Sequence, residues 1–229
     1  MTPLESWLGE HLGQWPPRGP FDVVGCAARD EPAWDGTRRA VVGIAAPELG
    51  IVLSVPPAAA DAVRGLGDDW HAPGYGDRLA AIVGEDAPEP HVLDGTGVFR
   101  WSEHVPDLDP LGEWVDPADA RVPDWLRPFN GGVLCAWDGD GAYVAGVGIK
   151  RHSAHGEEIA VGTEPAARGR GYARRLVVTA ATAILDRGAV PTYLHAPDNV
   201  ASAHVAEASG FPDRGWRFLG LWTRASLHT

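Results

Sequence analysis

The chain has 229 residues, 45% of them hydrophobic and 22% charged, and these fractions are typical of a folded globular protein rather than a disordered one. Its formal net charge is −12, which argues against broad nucleic-acid binding because a phosphate backbone requires a basic face. No apolar run approaches the ~20 residues that cross a bilayer, and no signal-peptide pattern is seen, so we expect a cytoplasmic protein without a membrane partner.

The cysteines and the distribution of charge further limit the kinds of site that the protein can contain. Cys26 and Cys135 lie in strand-like segments without metal-ligand spacing, so we interpret them as buried free thiols and expect no metal. The dominance of arginine over lysine, together with abundant Ala, Gly and Pro, indicates a GC-rich bacterial genome. Residues 130–229 carry ten basic and nine acidic side chains, whereas residues 1–129 carry nine and 22. The acidic first part either attracts a cationic ligand or only keeps the protein soluble.

The first part of the chain predicts short helices and strands in alternation. Leu4, Leu8 and Leu12 have helical spacing and precede two prolines. The next segments predict three strands, at FDVVGCA (21–27), RRAVVGIAA (38–46) and IVLSV (51–55). After them we expect a short helix at 56–67, a helix near Asp77–Val83 and a strand near His91. The proline-rich passage from Val105 to Phe129 is the best candidate boundary, which gives an α/β half at 1–125 and a second domain at 126–229.

The second part has a clearer pattern. It predicts a hairpin over 131–152 around Asp138–Gly141, a strand at 157–163, a helix from Gly171 to Gly188, a strand at 191–196, a short helix at 198–210 and a last strand at 215–223. An antiparallel hairpin followed by strand, helix, strand, helix and strand indicates an α/β (α+β) fold with a mixed central sheet and flanking helices.

The segment VGTEPAARGRGYARRL (Val161–Leu176) leads from a strand into a helix through glycines and arginines. A helix that begins at Gly169–Gly171 offers free backbone N–H groups to an anion, and glycine leaves room for a phosphate to reach them. Arg168 and Arg170 add charge that suits a diphosphate. The other interpretation is a glycine-rich turn that only packs.

Two well-known phosphate motifs do not fit this turn. A Walker loop needs Gly-Lys-Ser/Thr, and a dinucleotide fingerprint read from Gly169 meets Arg174 at its third small position. What fits is R-x-x-G-x-A, with Arg168, Gly171 and Ala173. This motif resembles the pyrophosphate-binding motif of the GNAT N-acetyltransferase superfamily.

A second motif in the right order strengthens the resemblance. Members of the superfamily follow a strand with a helix that opens at Asn, has a small residue three positions on and closes at Gly-Phe; here these are Asn199, Ser202, Gly210 and Phe211. The resemblance covers about 130–229 and implies acetyl-CoA as cosubstrate, a GNAT-like fold and N-acetylation of a small-molecule amine. The residues that it implies for acetyl-CoA binding are Val161, Gly162, Thr163, Arg168, Gly169, Arg170, Gly171, Tyr172, Ala173, Asn199 and Ser202.

The catalytic groups are less clear from the sequence. The family commonly uses a tyrosine seven residues after the helix-opening Asn as the acid, and here that position is Ala206. Tyr193 is our candidate acid, with Tyr172 and His204 as alternatives. The candidate bases, on the strand before the turn, are Glu157 and Glu158. The alternative interpretation is that both are solvated residues at the end of the hairpin. His152, His155 and His195 flank the same region and are each more typical of surface or core histidines.

The resemblance leaves the first half and the exact activity open. In relatives that resemble glycine N-acyltransferases, the N-terminal half is a degenerate copy of the same fold, and here such a copy would shape the acceptor site. Its acidic residues Asp107, Asp109, Glu113 and Asp116 are expected to attract a cationic amine. The alternatives to a small-molecule N-acetyltransferase are a non-catalytic acyl-CoA sensor and a protein acetyltransferase. The sequence leaves the oligomeric state open, with a homodimer as one option.

Overall fold

A computed structural model describes residues 2–85 and 89–226. In this part of the chain the helices are α1 (Pro3–Leu12), α2 (Ala60–Arg64), α3 (Tyr75–Val83), α4 (Tyr172–Asp186) and α5 (Val200–Ala208). The strands are β1 (Phe21–Gly25), β2 (Val42–Ala46), β3 (Gly50–Val55), β4 (His91–Trp101), β5 (Glu113–Val115), β6 (Val133–Trp137), β7 (Tyr143–Arg151), β8 (Gly156–Thr163), β9 (Val190–His195) and β10 (Arg217–Thr223). Short 3-10 turns lie at Ala27–Arg29, Pro57–Ala59, Asp124–Leu126 and Pro165–Ala167.

The strands form a single mixed sheet in the order β1-β3-β2-β10-β4-β9-β8-β7-β6-β5. The predicted α/β class with a mixed central sheet and flanking helices is therefore confirmed. The hairpin of β6 and β7 is antiparallel across the turn at Asp138–Gly141, and β8 continues the antiparallel ladder against β7. β8 and β9 run parallel, because α4 connects them.

By packing, the chain divides into two compact units. The first comprises Met1–Trp7 and Phe99–Arg214, and the second comprises Leu8–Val98 and Gly215–Thr229. The sequence-based boundary at 125/126 falls inside the first unit. The division passes through β4, because its last residues, from Phe99 on, belong to the first unit. Just after β4, the N–H of Ser102 donates to the carbonyl of Pro191 within that unit.

The core of the first unit lies between α4 and the β6–β8 ladder. Leu176, Val177, Ala180, Ala181 and Ile184 follow helical spacing, and all of them are fully buried. They pack with strand side chains that share the same cluster, including Leu134, Val147, Ile149 and Ile159. Burial of one such Leu or Ile side chain stabilises the fold by about 1.5–3 kcal/mol. This packing fixes the start of α4 beside the end of β8.

The second unit has a core of its own. Its buried apolar side chains include Val23 of β1, Leu53 of β3, Val63 of α2, Leu79 of α3 and Leu219 of β10. β3 pairs antiparallel with β2 and parallel with β1. β10 lies between β2 and β4 and is antiparallel to both strands.

Candidate active site

The site begins where the parallel strands β8 and β9 separate. Their register runs from Gly156 opposite Val190 to Ile159 opposite Tyr193 and stops there. β8 nevertheless continues to Thr163 in its ladder with β7. Beyond Ile159, the backbone groups of β8 that face away from β7 therefore have no strand partner among the described residues. The hydroxyl oxygen of Thr163 is also buried without a hydrogen-bond partner there.

The glycine turn follows directly. Gly169 and Gly171 adopt positive φ angles of 74° and 80°, and Gly171 is the N-cap residue of α4. A Cβ atom built on either glycine meets no heavy atom within 4 Å, so the space above this backbone is open. The first N–H groups of α4 point into that space, since helical geometry gives them no partner within the helix. The turn can therefore accept an anion.

Four arginines surround the turn, and the structure separates them into two pairs. Arg174 donates to the carbonyl of Ala208 at 2.9 Å, and Arg175 donates to the carbonyl of Asp109 at 3.2 Å, so both join α4 to neighbouring segments. Arg168 and Arg170 are exposed at the turn itself. The first makes a 3.4 Å contact from Nε to the Thr163 carbonyl, and the second lies 5.5 Å above the Tyr172 ring. These two remain available to an anionic ligand.

The N-terminus of α5 lies at the end of β9. The side-chain oxygen of Asn199 accepts a hydrogen bond from Ser202 N–H at 3.0 Å, which is the N-cap that the sequence predicts. The hydroxyl groups of Ser202 and Tyr193 are 2.9 Å apart. Tyr193 is only 2% exposed, and burial, partly offset by its bond to Ser202, raises the pKa of its hydroxyl. Ala206 is fully buried in the same cluster as Tyr193.

Glu157 is one of the two predicted bases, and it is held by two arginines. It is 3% exposed, and its carboxylate contacts Arg151 at 2.9 Å and Arg187 at 2.6 Å. The alternation of β8 places it on the same face as Ile159, which packs against α4. Glu157 could act as a base only after these ion pairs open.

Glu158 points to the opposite face of β8, as the alternation predicts. Its carboxylate pairs with Lys150 and lies 3.6 Å from Nε2 of His152. Burial alone would raise the pKa of this carboxyl, but Lys150 and His152 outweigh burial and hold the pKa at about 2. A carboxylate with so low a pKa is a weak proton acceptor near neutral pH.

His195 belongs to a buried network that the sequence did not predict. Arg100 of β4 is 5% exposed and donates from Nε to His195 Nε2 at 3.1 Å. It also donates from Nη1 to the Phe211 carbonyl at 2.8 Å and to the Glu207 carboxylate at 2.9 Å. The other ring nitrogen of His195 bonds to the Ala196 carbonyl at 2.8 Å, so both nitrogens are engaged. This network joins β4, β9 and α5.

The other polar residues that the sequence singles out make contacts of their own or are exposed. His152 contacts the ring of Trp7 at 6.0 Å, Ser153 Oγ accepts the backbone N–H of His155, and His204 is exposed on α5. Of the four acidic residues expected to attract an amine, Glu113 accepts a bond from Trp137 Nε1 at 3.1 Å, and Asp116 accepts the backbone N–H of Ala118.

The described part of the chain contains neither a membrane-spanning helix nor a metal-binding cluster. No helix within residues 2–85 and 89–226 is long and apolar enough to span a membrane. Over the same ranges, no group of three or more His, Cys, Asp or Glu side chains is arranged to hold a metal ion.

A match to a protein family covers most of the first unit. Residues 99–211 match the model of the acetyltransferase (GNAT) family. No curated protein sequence matches the chain. Among solved structures, a GNAT-family protein from Novosphingobium aromaticivorans is similar at a TM-score of 0.46 and 20% identity, over 66% of this chain and 80% of that one.

Two further structures are similar at the same level. An acetyltransferase of the GNAT family from Colwellia psychrerythraea has a TM-score of 0.44 and 12% identity, over 63% of this chain and 60% of that one. A GCN5-related N-acetyltransferase-like protein from Streptococcus suis has a TM-score of 0.42 and 16% identity, over 66% and 68% of the two chains.

Proposed function

Because residues 99–211 belong to the GNAT acetyltransferase family and thus form an acyltransferase domain, we propose that this protein transfers an acetyl group from acetyl-CoA to the primary amine of a small cationic molecule. The observation that carries this proposal is a strand edge that has no partner strand among the described residues, followed at once by an open glycine turn. The two features lie in the order that a pantetheine chain and its diphosphate require.

The residues present fit acetyl-CoA. The free backbone groups of Val161–Thr163 can pair with the amides of pantetheine as an added strand would, and the buried, unbonded hydroxyl of Thr163 lies at the end of that edge. The N–H groups at the start of α4, from Gly171 onward, would receive the diphosphate, with Arg168 and Arg170 beside it. Asn199 and Ser202 would lie near the pantetheine or adenosine part.

In the proposed mechanism the neutral amine attacks the thioester carbonyl, and the leaving thiolate takes a proton. A free N–H of the β8 edge polarises the carbonyl oxygen, because it is a fixed donor that needs no reorganisation during the reaction. Tyr193 acts through Ser202: the phenol, which is protonated before the reaction, gives its proton to the Ser202 oxygen as Ser202 gives its own hydroxyl proton to the thiolate, and water re-protonates Tyr193 afterwards. The amine loses its proton through water, with Glu157 or Glu158 as the base if its ion pairs open.

We also propose that the N-terminal half is a degenerate copy of the same fold. Both β3 and β8 are antiparallel to the strand before them in the sequence and parallel to their other neighbour. Each leads into a Pro-Ala-Ala 3-10 turn, at Pro57–Ala59 and Pro165–Ala167, and the residues that precede these turns have nearly equal backbone angles. After Pro57–Ala59 the chain enters α2 without any glycine, so we expect one acetyl-CoA site per chain.

A thiol-release assay with acetyl-CoA and a panel of amines tests the proposed activity. We expect CoA release that requires both an amine and the protein. The alternative is a non-catalytic acyl-CoA sensor, which Ala206 favours because the family's tyrosine is missing. Binding of acetyl-CoA without CoA release on any amine of the panel would support the sensor and contradict the transferase.

A further inference from the structure

Arg29 carries a buried charge in the second unit without an acidic partner there. It ends the 3-10 turn Ala27–Arg29 that follows β1, and it is only 3% exposed. Its guanidinium donates from Nη1 to the carbonyl of Arg39 at 3.3 Å and from Nη2 to the carbonyl of His11 at 3.1 Å. No carboxylate of the described residues pairs with it. Burying an ionised group without a counter-ion is costly, so an anion beside Arg29 would be strongly favoured.

One N–H group of this guanidinium also lacks an acceptor. Nε of Arg29 is buried and makes no hydrogen bond to any of the described residues. Nearly all buried polar atoms in folded proteins have a partner, so an unmet donor of this kind points to a group that is still to come. Burial lowers the pKa of the guanidinium, and the neighbouring side chain of Cys26 partly offsets this decrease.

The thiol of Cys26 lies beside the guanidinium and among backbone oxygens. Its sulfur is 3.8 Å from the carbonyl oxygen of Glu10 and 3.9 Å from that of His11, which is the same carbonyl that Arg29 binds. A thiol is a weak donor and a weak acceptor, so it serves neither these oxygens nor the guanidinium well. The surroundings of the sulfur therefore offer strong hydrogen-bonding groups that a thiol does not use.

A sulfenic acid on Cys26 would use these groups. Its S–O–H oxygen can accept a hydrogen bond from Nε of Arg29 while its hydrogen is donated to a backbone carbonyl. A neighbouring cation also stabilises the negative charge on sulfur that makes a cysteine nucleophilic. Cys26 keeps 7% of its surface exposed, and its chain neighbours Gly25 and Ala27 are exposed, so the sulfur lies within reach of a small oxidant.

We propose that Cys26 is an oxidation site, at which a small hydroperoxide such as hydrogen peroxide converts the thiol to a sulfenic acid that Arg29 holds. The sulfur forms a bond to one peroxide oxygen as the O–O bond breaks. The other oxygen leaves as hydroxide and takes the thiol proton to become water, so the sulfur loses two electrons and the peroxide gains them. The site does not include the residues proposed to bind acetyl-CoA and does not depend on the proposed function.

Cys135 provides a comparison within the same molecule, because it is the only other cysteine of the chain. It lies in β6 and is fully buried, and burial raises the pKa of its thiol to about 11. This thiol stays protonated near pH 7 and is a poor nucleophile. The two cysteines are therefore expected to differ in their reaction with peroxide.

Brief treatment of the wild-type protein with hydrogen peroxide in the presence of dimedone, followed by peptide mass spectrometry, measures sulfenic acid at each cysteine. We expect Cys26 to be labelled faster than Cys135 by about tenfold or more. Equal labelling of the two cysteines, or no labelling of Cys26, would overturn the proposal. This comparison needs no variant.

Arg29→Met tests the role of the guanidinium, with Arg64→Met as its matched control. Arg64 is an exposed arginine of the same unit, and its Nε donates to the carbonyl of Val23 in β1 at 3.1 Å. We expect Arg29→Met to slow the labelling of Cys26 by about tenfold and Arg64→Met by less than about twofold. If exposure of the sulfur alone set the rate, Arg29→Met would loosen the surrounding structure and accelerate labelling, which would contradict the proposal.

Discussion

The hydroxyl oxygen of Tyr193 lies 2.9 Å from Oγ of Ser202, so a phenol on strand β9 reaches the N-terminal turn of helix α5. Side chains on a helix tilt towards its N-terminus, so a tyrosine at position 206 would also direct its hydroxyl towards Ser202. Ala206 is fully buried in the same apolar cluster as Tyr193. We therefore propose that this pair supplies the proton that the family's helix tyrosine would supply.

We predict that Tyr193→Phe lowers kcat by about 100-fold with little change in KM for acetyl-CoA, because the leaving thiolate loses its proton donor. Ser202→Ala should have a similar effect. Steady-state thiol release from pH 6 to 10 measures this. Since burial raises the pKa of Tyr193, its hydroxyl should remain mostly protonated up to about pH 10, and the wild-type kcat should not fall through loss of this acid below that pH.

The matched control for this prediction is Tyr75→Phe. Tyr75 is also a buried tyrosine, 1% exposed, with a 3.4 Å contact from its hydroxyl to the Gly67 carbonyl, but it lies in the second unit. Equal losses of kcat in Tyr75→Phe and Tyr193→Phe would show that only stability had changed and would remove Tyr193 from the mechanism.

A second prediction concerns Gly171. Gly171→Ala forces a side chain into a backbone with φ of 80°, at a strain of about 1–2 kcal/mol, and places a methyl group over the amides that should hold the diphosphate. Gly188→Ala imposes the same strain at φ of 78°, at the other end of α4 and in equally open space. We expect both variants to lose similar stability in urea, while only Gly171→Ala weakens acetyl-CoA binding, by at least tenfold.

The third prediction concerns pH and Glu158. The pKa of its carboxyl is depressed in the folded protein from 4.5 to about 2. The carboxylate therefore stabilises the fold above pH 4.5, by on the order of 3 kcal/mol, and this contribution is lost as the pH falls from about 4.5 to 2. Urea unfolding at pH 7 and pH 3 should show more than half of this loss, about 2 kcal/mol, in the wild-type protein.

In Glu158→Gln the free energy of unfolding should be lower at pH 7 and should fall less between pH 7 and pH 3. Glu31→Gln, which changes an exposed carboxylate, should follow the wild-type pH dependence. If Glu158→Gln kept the full acid dependence, the ion pair with Lys150 would not be the cause.

A fourth prediction concerns Arg100. Replacement by methionine keeps the bulk of the side chain but leaves the buried Phe211 carbonyl and His195 Nε2 without their donor. We expect Arg100→Met to lower the free energy of unfolding by about 2–4 kcal/mol. Arg174→Met, which removes an exposed arginine with one 2.9 Å bond to a backbone carbonyl, should lower it by less than about 1 kcal/mol. Equal effects would contradict a special role for the buried network.

The sequence predicts the elements of the first unit well, because local signals determine them. Leu176 and Ile184 show the helical period of α4, Gly188 ends the helix, and Asn199 caps α5 through a bond to a residue only three positions away. The glycine turn at Arg168–Ala173 is likewise recognised from a short stretch of neighbouring residues. Strand β5 was not predicted, since three residues within a proline-rich passage give no periodic signal.

The partners of the charged side chains could not be predicted, because they come from distant parts of the chain. Arg187, 30 residues after Glu157, binds its carboxylate, and Arg100 reaches the carbonyl of Phe211, 111 residues away. No spacing rule connects such positions. Gly162 did carry a usable signal, since a glycine inside a strand often marks a close approach, here by Trp125.

The central claim is tested most directly by calorimetric titration of the wild-type protein with acetyl-CoA. We predict saturable binding of one acetyl-CoA per chain, which weakens at least tenfold in Gly171→Ala and remains near wild type in Gly188→Ala. Absence of binding, or binding that both variants leave unchanged, would contradict the assignment of the turn at Arg168–Ala173 as the diphosphate site and the acetyl transfer proposed from it.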